Sequence, residues 1–360
     1  MIKTIKAFLG ILQTKIGMVF AILVPLLFTV IWMTGYNGAT DRIDQLKVGI
    51  VNDDGESGEI IAEAIASGVP YQSEMYTSIS KAKEDMNDGQ LVMIIELPEN
   101  FSSHIGNNEQ VPINYYVNQA NSEIAVSIAE SSAEQVTATI NKQVLQDTHQ
   151  DLVTSNIEKI NNVDNFAVTM LPMVLGFVTY IGVMTMNIQF NLSSQFLKKA
   201  FSKWNIFWAR QVLMLIIAVI GSFIVTNIAL LFVDPVASYF EMWGFHILVY
   251  IASMCVTQMA FALFGGVGAL FNVALIPFQL MTAGNIIPSE MLTPFYRHIG
   301  SFLPASNAIQ GYMRLIYSGS SISTYIMHLV LIAVVTWGIT VLRTALTKPA
   351  ITMANQPAAH

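Results

Sequence analysis

Charge is missing from long parts of this chain, and the gaps constrain its fold more than any motif does. No Asp, Glu, Lys or Arg occurs in residues 16–40, 165–197, 211–233, 242–289 or 315–342. A helix crossing the apolar core of a bilayer needs about 20 such residues. Four of the windows therefore hold one crossing each. The window 242–289 would make about 70 Å of helix at about 1.5 Å per residue, enough for two crossings. Gly265, Gly266 and Gly268 mark the turn between them. The reading is an α-helical polytopic membrane protein with six transmembrane helices. Charged residues make up only 11% of the chain, against about 25% in soluble domains, and the windows account for that deficit.

The first apolar segment follows Lys3, Lys6 and Lys15, as in a secretory leader. It is longer than the 7–15 apolar residues of about every leader peptide, and "MTGYNGATDR" offers no small-residue cleavage site. It reads as a retained anchor. With the amino terminus in the cytoplasm, the inner segments are 1–15, a loop at 191–211, the turn near Gly266 and the tail after Leu342. They carry Lys3, Lys6, Lys15, Lys198, Lys199, Lys203, Arg210, Arg343 and Lys348, and no acid. All 24 acidic residues fall on the other side. Basic residues concentrate on the inner face of membrane proteins, so both termini are expected in the cytoplasm. The organisation is then an amino-terminal segment and first crossing at 1–36, an extracytoplasmic domain at 37–164, crossings two to six at 165–345, and a tail at 346–360.

The inserted domain alternates strand and helix patterns. "LKVGIVNDD" reads as a strand over Lys47–Asn52 running into an acidic turn. "SGEIIAEAIASG" is a helix starting at Ser57 or Gly58 and closed by Gly68, and "SISKAKEDMNDG" is a second. "LVMIIELP" and "PINYYVN" are further strands. From Asn121 to about Ile160 the chain reads helical, with a stripe of Ile124, Ile128, Val136, Ile140, Val144, Leu152 and Ile157. A small α/β domain with a long closing helix, leading into the second crossing, is expected. The single cysteine, Cys255, lies within a crossing, so the chain forms no internal disulfide.

Catalytic patterns are absent. The sequence has no Gly-Lys pair, hence no phosphate-cradling G-x-x-x-x-G-K-[ST] loop, and no H-E-x-x-H. "NDDGESGE" lacks calcium-loop spacing and reads as a solvated strand-end turn. The polar residues inside the crossings are Asn187, Gln189, Gln258, Asn272, Gln279 and two histidines, which more often bond a neighbouring helix than a substrate. No acid lies in a crossing, which argues against a proton-coupled antiporter. No metal or cofactor is expected in this chain, and nothing points to nucleic acid. The 19 methionines suit adaptable apolar surfaces.

One stretch fits neither a crossing nor a soluble loop. "GNIIPSEMLTPFYRHIGSFLPASN" is apolar yet broken by Pro288, Pro294 and Pro304. Prolines at that spacing forbid one straight helix. Broken backbone at membrane depth survives only where protein buries it or where it lines a cavity. The candidates are a re-entrant hairpin across 284–314, just before the last crossing, and an amphipathic helix on the outer surface.

"LKVGIVNDDG", "LVMIIELPENFSSHI" and "PINYYVNQAN" together resemble the outer domain of the phage-infection-protein (YhgE/Pip) group of ABC type-2 permeases. "AGNIIPSEMLTP" and "LPASNAIQGYMR" are similar to that group's pattern after the fifth crossing. The match runs through Pro288, Pro294, Pro304, Ala308, Gly311 and Arg314, while Asn285, Ile286 and Asn307 depart from it. The resemblance implies the permease subunit of an exporter, working as a homodimer or with a related permease in a bacterial plasma membrane. A separate ATPase chain would hold the ATP and magnesium, so this subunit is not itself an enzyme. The cargo would be an amphipathic or lipophilic compound moved outward. It also implies a re-entrant gate holding Pro288, Pro294, Pro304, Asn307 and Arg314. Finally, it implies an ATPase-coupling loop in "NLSSQFLKKAFSKWNIFWAR", with Lys198, Lys199, Lys203, Trp204 and Arg210. Interfacial anchoring explains the same basic-aromatic loop without a partner. The rival function is a non-transporting surface receptor or scaffold that uses the outer domain.

Overall fold

The computed structural model describes residues 1–35, 40–88, 90–107, 109–118, 123–144, 165–284 and 292–347. Two compact units emerge, Met1–Asn37 with Lys159–His360, and Gly38–Glu158.

The first unit opens with α1 (Ile2–Gly10), a separate amphipathic helix that buries Thr4 and Phe8 and leaves Lys3 and Lys6 exposed. After Ile11, in extended backbone, comes α2 (Leu12–Gly35), with Pro25 inside it. The missing amide at Pro25 costs one helical hydrogen bond.

The second unit begins with a 3₁₀ turn (Thr40–Gln45) and then runs β1 (Lys47–Asn52), α3 (Glu56–Gly68), β2 (Gln72–Tyr76), α4 (Ile79–Asn87) and β3 (Met93–Leu97). It ends with α5 (Phe101–Gly106), β4 (Asn114–Val117) and α6 (Glu123–Val144). The sheet order is β2-β1-β3-β4, with β1 parallel to β2 and β3, and β4 antiparallel to β3. Strands β1 and β3 are buried on both faces because helices cover both. On one face Val48, Ile50, Met93, Ile95 and Leu97 pack with Ala62, Ile65, Phe101 and Ala129. On the other, Val51 and Ile94 pack with Ala82 and Met86 of α4. Tyr115 and Thr137 hydroxyls bond at 2.8 Å and fix α6 to β4.

Two sequence expectations shift here. Helix α3 starts at Glu56, ahead of Ser57, because Gly55 takes a positive φ of 66° that ends the strand turn. Strand β2, "QSEMY", had no signal: it is a polar edge strand, exposed along most of its length. The closing helix is described to Val144, and its expected continuation through Leu152 and Ile157 lies outside the described residues.

The first unit resumes with α7 (Phe166–Met173), a π turn (Val174–Val178) and α8 (Thr179–Leu197), which together form one continuous rod. It continues with α9 (Lys203–Ala229), α10 (Tyr239–Phe264), a 3₁₀ turn (Gly265–Val267) and α11 (Gly268–Met281). The last helices are α12 (Pro294–Gly300), α13 (Pro304–Met313), a π turn (Arg314–Ser318) and α14 (Ser323–Leu346). Among the described residues five helical stretches are long and apolar enough to cross a membrane. They begin at Leu12, Phe166, Lys203, Tyr239 and Ser323, and the fourth, Tyr239–Met281, is 43 residues long. That stretch is folded in two. Asn272 Nδ2 donates to the Thr257 carbonyl at 3.0 Å, and a Cβ on Gly268 would lie 2.5 Å from the Ala260 carbonyl oxygen. Helices α10 and α11 are therefore antiparallel, turned by Gly265 at φ 60°.

Glycine also sets the approach of α2 to α8. A Cβ on Gly17 would meet Gln189 Cβ at 2.9 Å, and one on Gly182 would meet Pro25 Cδ at 3.1 Å. Small residues at such contacts let helices pack where lipid supplies no hydrophobic driving force. The opposite surfaces carry exposed Phe223 and Ile220 on α9, and Leu331 and Val334 on α14.

Candidate functional site

Contacts gather the basic residues at one end of the membrane unit. Thr14 donates to Ser193 at 2.8 Å, and the Phe8 and Phe190 rings lie 6.1 Å apart, placing α1 and the start of α2 beside the end of α8. Lys203 Nζ donates to the carbonyls of Ala345 and Thr347, both at 2.7 Å, joining the start of α9 to the end of α14. Arg343 Nε donates to the Ala262 carbonyl at 3.3 Å, next to the Gly265 turn. Asp234 and Glu241 lie at the far end, where the amides of Val236 and Ala237 bond the carbonyls of Ile316 and Leu315.

The region read from sequence as a loop over 191–211 is much shorter in the structure. Helix α8 persists to Leu197 and α9 begins at Lys203, so only residues 198–202 connect them. Leu197, Ile206, Phe207 and Ala209 keep an apolar face through the charged stretch, and that face holds the helices. Ser202 caps α9 by accepting from the Asn205 amide at 3.3 Å. Lys198 and Lys199 are exposed, as is Phe196 at 61%, and Trp204 lies edge-on to Phe207 with centroids 5.7 Å apart. Arg210 is the correction. It lies inside α9 and is buried, its Nη2 donating to Asn187 Oδ1 at 3.0 Å. No docking surface can use it, because its guanidinium is enclosed among α8 and α9 side chains.

The proline-rich segment takes a definite form at both described prolines. Pro294 and Pro304 are each the first residue of a helix, α12 and α13. At that position the missing amide has no intrahelical partner to lose, so the prolines start helices rather than interrupt them. Pro288, with Asn285 and Ile286, lies outside the described residues. Helix α12 is largely exposed, with Phe295 at 63%, whereas α13 buries nearly every residue. Its first turn meets the last turn of α11. Gln279 Oε1 accepts from the Ala305 amide at 2.8 Å, and the Thr282 and Ser306 hydroxyls are 2.5 Å apart. Its far end reaches the 234–237 loop through the carbonyls named above. Helix α13 thus rises inside the bundle from the top of α11, a helix of only 14 residues.

Small residues make this possible. A Cβ on Gly311 would fall 2.2 Å from Phe245 Cζ, and one on Gly176 would fall 2.7 Å from Ile309 Cγ1. Asn307 knots the segment together. Its amide nitrogen donates to the carbonyls of Ser301 and Leu303, both at 2.9 Å, and its Oδ1 accepts from His328 Nδ1 of α14 at 2.9 Å. Arg314 donates to the Ser321 carbonyl at 2.7 Å and stacks 5.0 Å over Tyr325.

Several of the other polar residues of the crossings bond neighbouring helices. Asn187 Nδ2 donates to Thr257 Oγ1 at 2.8 Å, Gln211 Nε2 to Gln258 Oε1 at 3.2 Å, and Trp337 Nε1 to Gln211 Oε1 at 3.1 Å. His246 Nδ1 lies 2.8 Å from Thr226 Oγ1, and its Nε2 lies 3.3 Å from Thr179 Oγ1. The acidic turn of the sheet unit is spent locally. Asp54 accepts from the Ser102 amide at 2.9 Å, and burial beside Glu96 pushes the Asp53 carboxyl up from its usual range.

The family description "ABC-2 family transporter protein" matches residues 15–342, and the chain belongs to that family. Its permeases are the membrane subunits of transporters and work with an ATPase subunit. The likeness to the YhgE/Pip group also holds. Over 176 residues the chain is 27% identical to "Uncharacterized protein YhgE" of Bacillus subtilis (strain 168), covering 47% of this chain and 22% of that protein. Over 170 residues it is 26% identical to an uncharacterized protein of Methanothermobacter thermautotrophicus (strain Delta H), covering 46% of this chain and 79% of the relative. The match thus spans less than a quarter of the YhgE relative's length.

Proposed function

We propose that the chain is the permease of an exporter, acting as a dimer with a separate ATPase that docks at residues 198–204. The observation that carries this reading is the basic end of the bundle. Three separate parts of the sequence bring Lys3 and Lys6, Lys198, Lys199 and Lys203, and Arg343 to one end without a carboxylate among the described residues there. Basic ends face the cytoplasm, where ATP is. With that orientation the α10–α11 turn is cytoplasmic, the crossings number six, and the sheet domain lies outside. Helix α13 then starts within the bilayer and ends at its outer face, and α12–α13 form the gate above the path. The cargo is amphipathic or lipophilic, since among the described residues the membrane helices carry no interior carboxylate for a cation or proton.

Two measurements test this reading. In a Cys255→Ser background, cysteines at Ile60 and Ser238 are expected to react with an impermeant thiol reagent applied to whole cells, and one at Ala200 to stay unlabelled. Outside labelling at Ala200 would overturn the orientation. Inside-out vesicles holding the chain and its ATPase are expected to accumulate a lipophilic fluorophore only with ATP. Accumulation by the chain without the ATPase would contradict the transport scheme.

A further inference from the structure

An apolar groove of about 330 Å³ runs along the membrane unit between α9 and α14. Trp208 and Met214 form one wall, Val334 and Trp337 the other, and Cys255 of α10 lies in the floor. The groove opens on the outside of the bundle, where Trp208 is 46% and Val334 61% exposed. Those exposed walls belong to helices that cross the bilayer, so an occupant arrives from the lipid phase. Its lining is almost wholly apolar. The one amide side chain in the wall, Gln211, is engaged by Trp337 and Gln258. What fits is a hydrocarbon chain.

The groove has a charged end. Lys203 lies five residues before Trp208 on α9, and Arg343 six residues beyond Trp337 on α14, about 8 to 9 Å along each helix. Both use part of their hydrogen-bonding capacity on carbonyl oxygens, and neither has a carboxylate partner among the described residues. Two positive charges without counter-ions therefore flank one end of a slot shaped for a hydrocarbon chain. From Lys203 to Met214 the slot and its charged end run about 16 Å, at 1.5 Å of rise per residue.

We propose that this groove binds an anionic phospholipid, one acyl chain lying between α9 and α14 and the phosphate at Lys203 and Arg343. Its position at the basic end assigns the lipid to the inner leaflet, and only that assignment rests on the orientation proposed above. The lipid would fill the gap between the helix that begins at the 198–202 link and the last crossing.

Trp208 and Trp337 report on the occupant directly. The probe is a phosphatidylglycerol with a brominated acyl chain, mixed as a minor fraction into plain phosphatidylcholine nanodiscs holding one chain each. The protein is the full chain with Trp32, Trp204 and Trp243 replaced by Phe. Its fluorescence is expected to show preferential quenching over brominated phosphatidylcholine of the same chains, by about fivefold in association for each basic residue engaged. Lys203→Gln with Arg343→Gln should bring the two lipids level, while quenching by brominated phosphatidylcholine stays unchanged and reports an intact groove. Lys3→Gln with Lys6→Gln, at the same end on α1, should keep the preference. Equal quenching by both lipids in the parent protein overturns the proposal. So does loss of the preference on adding inorganic phosphate, which would make the basic pair a free-anion site. Loss of quenching when each disc holds two chains would make the groove a protein interface and overturn it as well.

Discussion

Gly268→Val is expected to leave no stably folded protein in mild detergent. A Cβ there would lie 2.5 Å from the Ala260 carbonyl oxygen and 2.8 Å from the Phe261 amide nitrogen. Both are backbone atoms of α10 and cannot turn aside as a side chain can. Helices α10 and α11 would have to separate, breaking the Asn272–Thr257 hydrogen bond and uncovering the buried Asn272. Overpacking of this kind costs about 3 kcal/mol, before the lost polar contact. Gly266→Ala, two residues away in open space, should behave like the parent. Thermal unfolding followed by size-exclusion chromatography separates the two. A Gly268→Val variant as stable as the parent would mean that the helices do not approach as described.

Asn307→Leu is the second change with a large expected effect. Leucine keeps the branched shape but strips side-chain donors from the carbonyls of Ser301 and Leu303 and the acceptor from His328. Each buried group left unpaired costs about 1 to 3 kcal/mol. The link between α12, α13 and α14 should loosen while the opposite end of the unit is untouched. If this segment is the upper gate, the variant is expected to lose export and to keep its ATPase association. Normal export would show that the knot serves packing alone.

How much of this could be read from sequence varied with the kind of residue. Strand β1 was legible over Lys47–Asn52 because an apolar run ends there in an acidic turn. The α10–α11 reversal was legible in its glycines. Strand β2 was not, since an edge strand needs no apolar side and "QSEMY" has almost none. Charge misled at residues 191–211. Lysines at helix ends resemble a loop, and the apolar face that continues the helices beneath them shows only in three dimensions. Arg210 was placed at the surface for the same reason, whereas its partner Asn187 stands on a different helix. Prolines 294 and 304 leave room for a short helix between them, which α12 fills, but they do not announce that Pro304 starts a buried one. Which polar groups meet across helices, as His328 meets Asn307, depends on helix rotation, and a single sequence does not encode that in any local pattern.

Whether the chain carries an ATPase on its basic end is tested most directly by co-purification. The parent chain, tagged and extracted from cells that also express the ATPase, is expected to bring that subunit with it. Lys198→Glu with Lys199→Glu reverses the two exposed charges of the 198–202 link without touching a buried contact. That variant should insert and fold normally yet lose the ATPase. Undiminished recovery of the ATPase with the charge-reversed chain would contradict docking at this end and leave the link as a lipid anchor.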